Sequence, residues 1–119
     1  MFKKKKTAKT KNEEQIINGI KKEYRARTNV CKVTFILPNS AAPDSTSVHL
    51  VGEFNNWDIN AHPMKRLKNG EYAITLELAP GRDYEFRYLI DHYRWENDYH
   101  ADKYIKSPFG DCDNSIVTV

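Results

Sequence analysis

The residues with chemistry to offer are two tryptophans placed after strand-like segments and not within them. Trp57 follows Asn55-Asn56, short amides that tolerate left-handed backbone and hydrogen-bond it locally. Trp95 follows a second polar turn, Asp91-His92, and stands among Arg94, Glu96, Asn97 and Asp98. An indole delivered by a polar turn needs either a pocket to fill or a ligand to stack on. Taken singly, each ring is explained equally well by packing in a core or loop. The pair, with amides, carboxylates and a guanidinium beside it, favours a ligand with an apolar face and a polar rim, as a pyranose ring has. Sugar C–H groups pack on the indole while hydroxyls take hydrogen bonds from side chains such as Arg87 or Asn114.

Other chemistries find less support. A glycosidase needs two carboxylates about 5 to 9.5 Å apart, one with a raised pKa. Asp91, Glu96 and Asp98 are acidic neighbours, but in a turn with Arg94 they read as turn-formers or sugar acceptors. His49, His62, His92 and His100 lack metal-ligand spacing, and Cys31 and Cys112 are far apart. Without a Gly-rich phosphate loop either, no cofactor and no catalysis are expected.

The elements that must position the tryptophans read as β from residue 30 onward. Val33, Phe35 and Leu37 alternate until Pro38 stops the strand, and residues 39–47 form a loop. Val48, Leu50, Gly52 and Phe54 then alternate with His49, Val51 and Glu53, the pattern of a half-buried strand that turns Phe54 inward. A short strand over 64–67 and an Asn69-Gly70 hairpin turn, with positive φ at both central residues, lead into Tyr72, Ile74, Leu76 and Leu78. Tyr84, Phe86, Tyr88 and Ile90 repeat the pattern, and residues 115–119 close it. Some six short antiparallel strands make a two-sheet sandwich the economical solution, with a small barrel as the alternative.

At 119 residues the chain has room for one domain, too small for a barrel of about 250. No apolar run approaches the roughly 20 residues of a membrane span and no signal-peptide core is evident, so the chain reads as soluble and cytoplasmic. In such a compartment two buried thiols are favoured over a Cys31–Cys112 bridge, although the first and last predicted strands beside them are candidate neighbours. Charge is uneven. Residues 1–29 hold ten basic side chains against three acidic ones, whereas 30–119 hold nine against thirteen. A basic arm over 1–29 on a mildly acidic body at 30–119 suits contact with nucleic acid or anionic lipid. With no aromatic interleaved among the lysines to stack on bases, a solubilising tail is the preferred reading. Within the arm, Asn12 to Arg25 carries a helix pattern, with Asn12 as cap and Ile16, Ile17 and Ile20 as an apolar stripe weakened by Gly19.

Four segments in order carry a resemblance: Gly52-Glu53-Phe54-Asn55-Asn56-Trp57; Pro80-Gly81 leading to Tyr84-Glu85-Phe86-Arg87-Tyr88-Leu89-Ile90-Asp91; Arg94-Trp95-Glu96-Asn97-Asp98; and Asp113-Asn114-Ser115-Ile116-Val117. Over roughly 30–119 they resemble carbohydrate-binding module family 48, the early-set, immunoglobulin-like domains found ahead of the barrel in branching enzymes and isoamylases and in the β subunits of AMP-activated protein kinase. The resemblance implies a non-catalytic binder of α-1,4-linked glucan such as glycogen, starch or maltooligosaccharide. In it, Trp57 and Trp95 stack on consecutive glucose units, Arg87 stands where lysine is usual and donates to hydroxyls, Asn114 orients the ligand, and Phe109 inserts as the bulky apolar loop residue. His92 stands where the family has glycine. A barrel enzyme of glycogen metabolism is the partner implied in trans. The alternative is a protein-interaction module that docks on an enzyme or kinase and has lost sugar binding, since one fold hosts many functions.

Overall fold

Alternation along residues 30–37 is realised residue by residue: Cys31, Val33, Phe35 and Leu37 are fully buried while their neighbours are half-exposed. The computed structural model describes residues 20–110 and 112–119. Its described residues form nine strands, β1 (Lys21–Arg25), β2 (Val30–Leu37), β3 (Val48–Gly52), β4 (Lys65–Arg66), β5 (Tyr72–Leu78), β6 (Asp83–Ile90), β7 (Arg94–Glu96), β8 (Lys103–Lys106) and β9 (Asp113–Thr118). Single 3₁₀ turns occupy Asn39–Ala41 and Glu53–Asn55.

Two antiparallel sheets result, in the strand orders β1-β2-β5-β4 and β3-β6-β9-β8, with β7 paired to the distal half of β6. This is the expected immunoglobulin-like sandwich and not the alternative barrel. Phe35 of the first sheet meets Phe86 of the second edge-on, ring centres 5.1 Å apart, and Phe54 packs on both. Interdigitation of inward residues from two sheets is what gives a sandwich its core.

Four expectations need correction. Lys21–Arg25 is a strand, not the end of a helix, and residues 12–19 of the expected helix lie outside the described residues. Its backbone pairs with β2 from Lys21 opposite Thr34 to Arg25 opposite Val30, and Ile20 enters the core, so tertiary pairing overrides the helical pattern. β3 is buried on both faces, not one. Residues 62–64 fold back along it, with Leu50 N–H donating to the His62 carbonyl (2.9 Å) and Met64 N–H to that of Val48 (2.8 Å), while the His92 ring covers His49 at 4.5 Å.

The turn at 68–70 has left-handed φ at Gly70 alone (φ 90°). Leu67 and Glu71 close a three-residue loop through Gly70 N–H to Leu67 O (2.9 Å) and Leu67 N–H to Glu71 O (2.7 Å), and such loops demand positive φ only at their last residue. The cysteines are both free; of the two thiols expected to be buried Cys31 is, whereas Cys112 is exposed on the loop just ahead of β9.

Candidate functional site

Trp57 owes its position to the chain's exit from β3. Gly52 is extended, and its carbonyl accepts the Trp57 N–H at 2.9 Å, drawing the five intervening bonds of the turn into a loop. Asn55 clasps that loop: its Oδ1 accepts the Gly52 N–H (3.1 Å) and its Nδ2 donates to the Leu50 carbonyl (3.0 Å). Asn56 and Trp57 then both adopt left-handed backbone, φ 57° and 59°. Asn accepts this readily, whereas a bulky aromatic there is held by its surroundings. The indole ends up 38% exposed.

Trp95 arrives by a different route. Asp91 (φ 53°) and His92 (φ 61°) make a turn with both central residues left-handed, the geometry that folds β7 back on β6. Asp91 stabilises the turn from outside, its Oδ1 accepting the N–H groups of Thr46 (2.8 Å) and Ser47 (3.0 Å), and these bonds hold its carboxyl below the usual carboxylate range. Trp95 sits in the middle of β7 opposite Leu89, 43% exposed, and so lies within a strand and not after one as expected, because the turn at 91–93 folds the chain straight back onto β6. Arg87, on β6, places its guanidinium 5.9 Å from the centre of that ring.

Beneath β7 lies a polar network. Tyr88 OH donates to Asp98 Oδ2 (2.6 Å), Asp98 N–H to Ser115 Oγ (2.9 Å), and Ser115 Oγ–H to Asn97 Oδ1 (2.7 Å). Asn97 Nδ2 donates in turn to the Asp113 carbonyl (2.8 Å). Burial raises the Asp98 carboxyl above its ordinary value, partly offset by the Tyr88 hydroxyl, and burial with the nearby Asp98 charge pushes the Tyr88 phenol up. The network ties the segment after Trp95 to β9.

All five residues singled out from the sequence line one open cleft of about 870 Å³: Trp57, Trp95, Arg87, Asn114 and Phe109. Asn114 lies in its floor, 6% exposed, with Nδ2 donating to Glu85 Oε1 (3.0 Å). Phe109 stands at the rim almost wholly exposed, on the loop between β8 and β9 that Ser107 N–H closes onto the Cys112 carbonyl (2.9 Å). Sequence reasoning missed Glu53, Glu85, Ile59 and Ile105, which also line the cleft. Glu85 shares the outer face of β6 with Arg87 two residues on, and that spacing was the available signal. Two glutamates facing Arg87 and Lys106 leave the cleft close to electrically neutral and rich in both donors and acceptors, which suits an uncharged polyhydroxyl ligand.

Residues 39–109, more than half of the chain, match the family model of carbohydrate-binding module 48, the isoamylase N-terminal domain. The chain belongs to this family. As a carbohydrate-binding module 48 domain it is similar to the 1,4-alpha-glucan branching enzyme GlgB of Butyrivibrio fibrisolvens, 38% identical over 63 residues covering 53% of this chain and 10% of that protein. It is similar also to the 1,4-alpha-glucan-branching enzyme of Aspergillus oryzae, 45% identical over 40 residues (34% and 6%). A third relative is Protein PTST homolog 2, chloroplastic, of Arabidopsis thaliana, 34% identical over 58 residues (49% and 10%). The module thus spans a tenth or less of the length of each of these relatives. Among its described residues no helix is long and apolar enough to cross a membrane, and no cluster of His, Cys, Asp and Glu is arranged to hold a metal ion.

Proposed function

We propose that this chain binds α-1,4-linked glucan, the class of glycogen, starch and maltooligosaccharide, without cleaving it. The observation that carries the reading is that Trp57, from the turn after β3, and Trp95, from the middle of β7, both expose their rings to the same cleft. In this reading the two indoles form the stacking platform and Phe109 wedges against the ligand from the rim. Arg87 and Asn114, with the acceptors Glu53 and Glu85, fix the orientation of the hydroxyls. Each aromatic stack adds about 0.5–1.5 kcal/mol beyond the area it buries. Two stacks with a few exposed hydrogen bonds correspond to micromolar to millimolar affinity, about −8 to −4 kcal/mol.

The cleft carboxylates favour binding over cleavage. Glu53 Oε1 accepts the Glu85 N–H (2.9 Å) and Glu85 Oε1 accepts from Asn114, so each is engaged in holding the fold. The module is taken as 30–119 extended by β1, with the lysines ahead of that strand, Lys3 to Lys11, as a solubilising tail. A glycogen-metabolising enzyme is its partner in trans and the cytoplasm its location. An exposed free thiol at Cys112 suits a reducing compartment. Titration with maltoheptaose, followed by tryptophan fluorescence, tests the reading. A saturable change in the micromolar to millimolar range is expected, and an unchanged spectrum at saturating sugar contradicts it.

A further inference from the structure

The Asn55 side chain is gripped at both ends by backbone groups that do not titrate, the Gly52 N–H and the Leu50 carbonyl. Exchanging its oxygen and nitrogen would set oxygen against oxygen at Leu50 and N–H against N–H at Gly52, so the amide has one orientation. The second hydrogen on Nδ2 then points at His62 Nδ1, 2.8 Å away. His62 Nδ1 therefore carries a lone pair, and the ring is the neutral tautomer with its proton on Nε2. Protonation would place a second N–H against the amide's own and turn this contact from attractive to repulsive.

The consequence reaches Trp57 through a short chain of bonds. The Asn55 clasp closes the loop in which Gly52 O receives the Trp57 N–H and Asn55 O the Asp58 N–H (3.1 Å). That loop is what keeps the Trp57 backbone at φ 59°. His62 braces the clasp from the far side, fixed by its own carbonyl to Leu50 N–H and by the Phe54 ring, which meets it edge-on at 6.4 Å. Ionisable groups on the surrounding elements are turned elsewhere. The Glu53 carboxylate goes to Glu85 N–H, Asp58 Oδ1 to Asn60 N–H (2.8 Å), the His49 ring to His92, and Arg66 to the Ser45 carbonyl, while Lys65 is exposed. Among the described residues no carboxylate forms an ion pair with His62.

We infer that His62 is a positioning residue for Trp57, and that its protonation loosens the indole so that glucan affinity falls once the ring is charged. The effect on affinity rests on the glucan reading above; the coupling between His62 and Trp57 belongs to the free protein and does not.

Two readouts on the full chain separate the parts. In the free protein, NMR follows the His62 ring and the Trp57 and Trp95 indole N–H signals from about pH 8 to about pH 5. The expected result is an Nε2-protonated neutral ring at the upper end and a Trp57 signal that moves with the His62 midpoint. In parallel, calorimetry measures maltoheptaose affinity of the wild type and of His62→Asn, whose side-chain oxygen can accept where Nδ1 does and never protonates. Wild-type affinity is expected to fall roughly fivefold or more across that range while the variant stays flat. A Trp57 signal that ignores the His62 titration, or a variant with the wild-type pH slope, overturns the inference. A Trp57 signal that tracks His62 in a protein that binds no glucan at any pH upholds the coupling and removes the glucan reading alone.

Discussion

The Arg87 guanidinium lies 5.9 Å from the centre of the Trp95 ring while its Nε and Nη2 both donate to the Asp113 carbonyl, each at 3.1 Å. One side chain thus braces the indole and fastens it to β9, leaving its remaining hydrogens for a ligand. A lysine at this position could reach the carbonyl with one bond but could not make the fork or stack a planar cation beside the ring. Arg87→Ala is expected to weaken maltoheptaose binding by about 3- to 10-fold, from the lost contact with the ring and the lost donor. Arg87→Lys should recover part of this. Calorimetry on both variants, with thermal melts as the control for folding, checks the order.

Gly52 is required for space and not for its φ, which is extended. A Cβ there would lie 2.5 Å from the Glu85 carbonyl oxygen and 2.7 Å from Phe86 Cβ, and neither backbone nor core can yield. Gly52→Ala is expected to destabilise the fold by about 1–3 kcal/mol, the usual range for overpacking. Because both Gly52 backbone groups hold the Trp57 loop, glucan binding should weaken further than the population of folded protein explains. Urea unfolding combined with an affinity measurement under folding conditions separates the two.

Trp57 carries backbone strain that glycine would not. Replacing it by alanine removes the indole and keeps the strained conformation, whereas glycine removes both. Trp57→Gly should therefore be the more stable of the two variants by about 1 kcal/mol, although neither binds glucan. Denaturant midpoints at a common slope are the measurement. Equal stability would mean that the left-handed backbone at this position is not the source of strain.

His49 gives the fold a pH dependence of its own. It is 8% exposed, its Nδ1 has no partner, and burial first, then the positive charge His92 can carry, lowers its pKa. A base with a depressed folded pKa binds its proton in the unfolded chain first. Stability is therefore fully present above the ordinary histidine pKa of about 6.5 and is lost as the pH falls from there through the lower folded value. Melting temperatures taken between pH 8 and pH 5 should decline below about pH 6.5 for the wild type and less steeply for His49→Phe, which has no group to protonate. The variant should also match or exceed wild-type stability at pH 8, since it removes a buried unpaired polar atom.

Much of this architecture could be read from residue order. Alternation was strong where strands bury one face against the core, so β2, β5 and β6 emerged with nearly their observed limits. It was weak where burial comes from elsewhere. β8, Lys103–Lys106, is exposed at every position and leaves no period to detect, and β7 is only three residues long. β1 is polar and is a strand only because β2 lies beside it. The covering of β3 by residues 62–64 is a contact between chain segments, invisible to a local pattern. At the cleft, aromatic residues after polar turns were conspicuous, but Glu53 and Glu85 had no distinguishing chemistry until β6 and the turn after β3 placed them beside Arg87 and Asn114.

Retention on a glycogen-containing native gel is the most direct trial of the central claim that Trp57 and Trp95 together form the binding platform. Wild-type protein should be retarded relative to a gel without glycogen, while Trp57→Ala and Trp95→Ala should each migrate as though the polysaccharide were absent, with melting curves that show both variants folded. Undiminished retardation in both folded variants would contradict the claim.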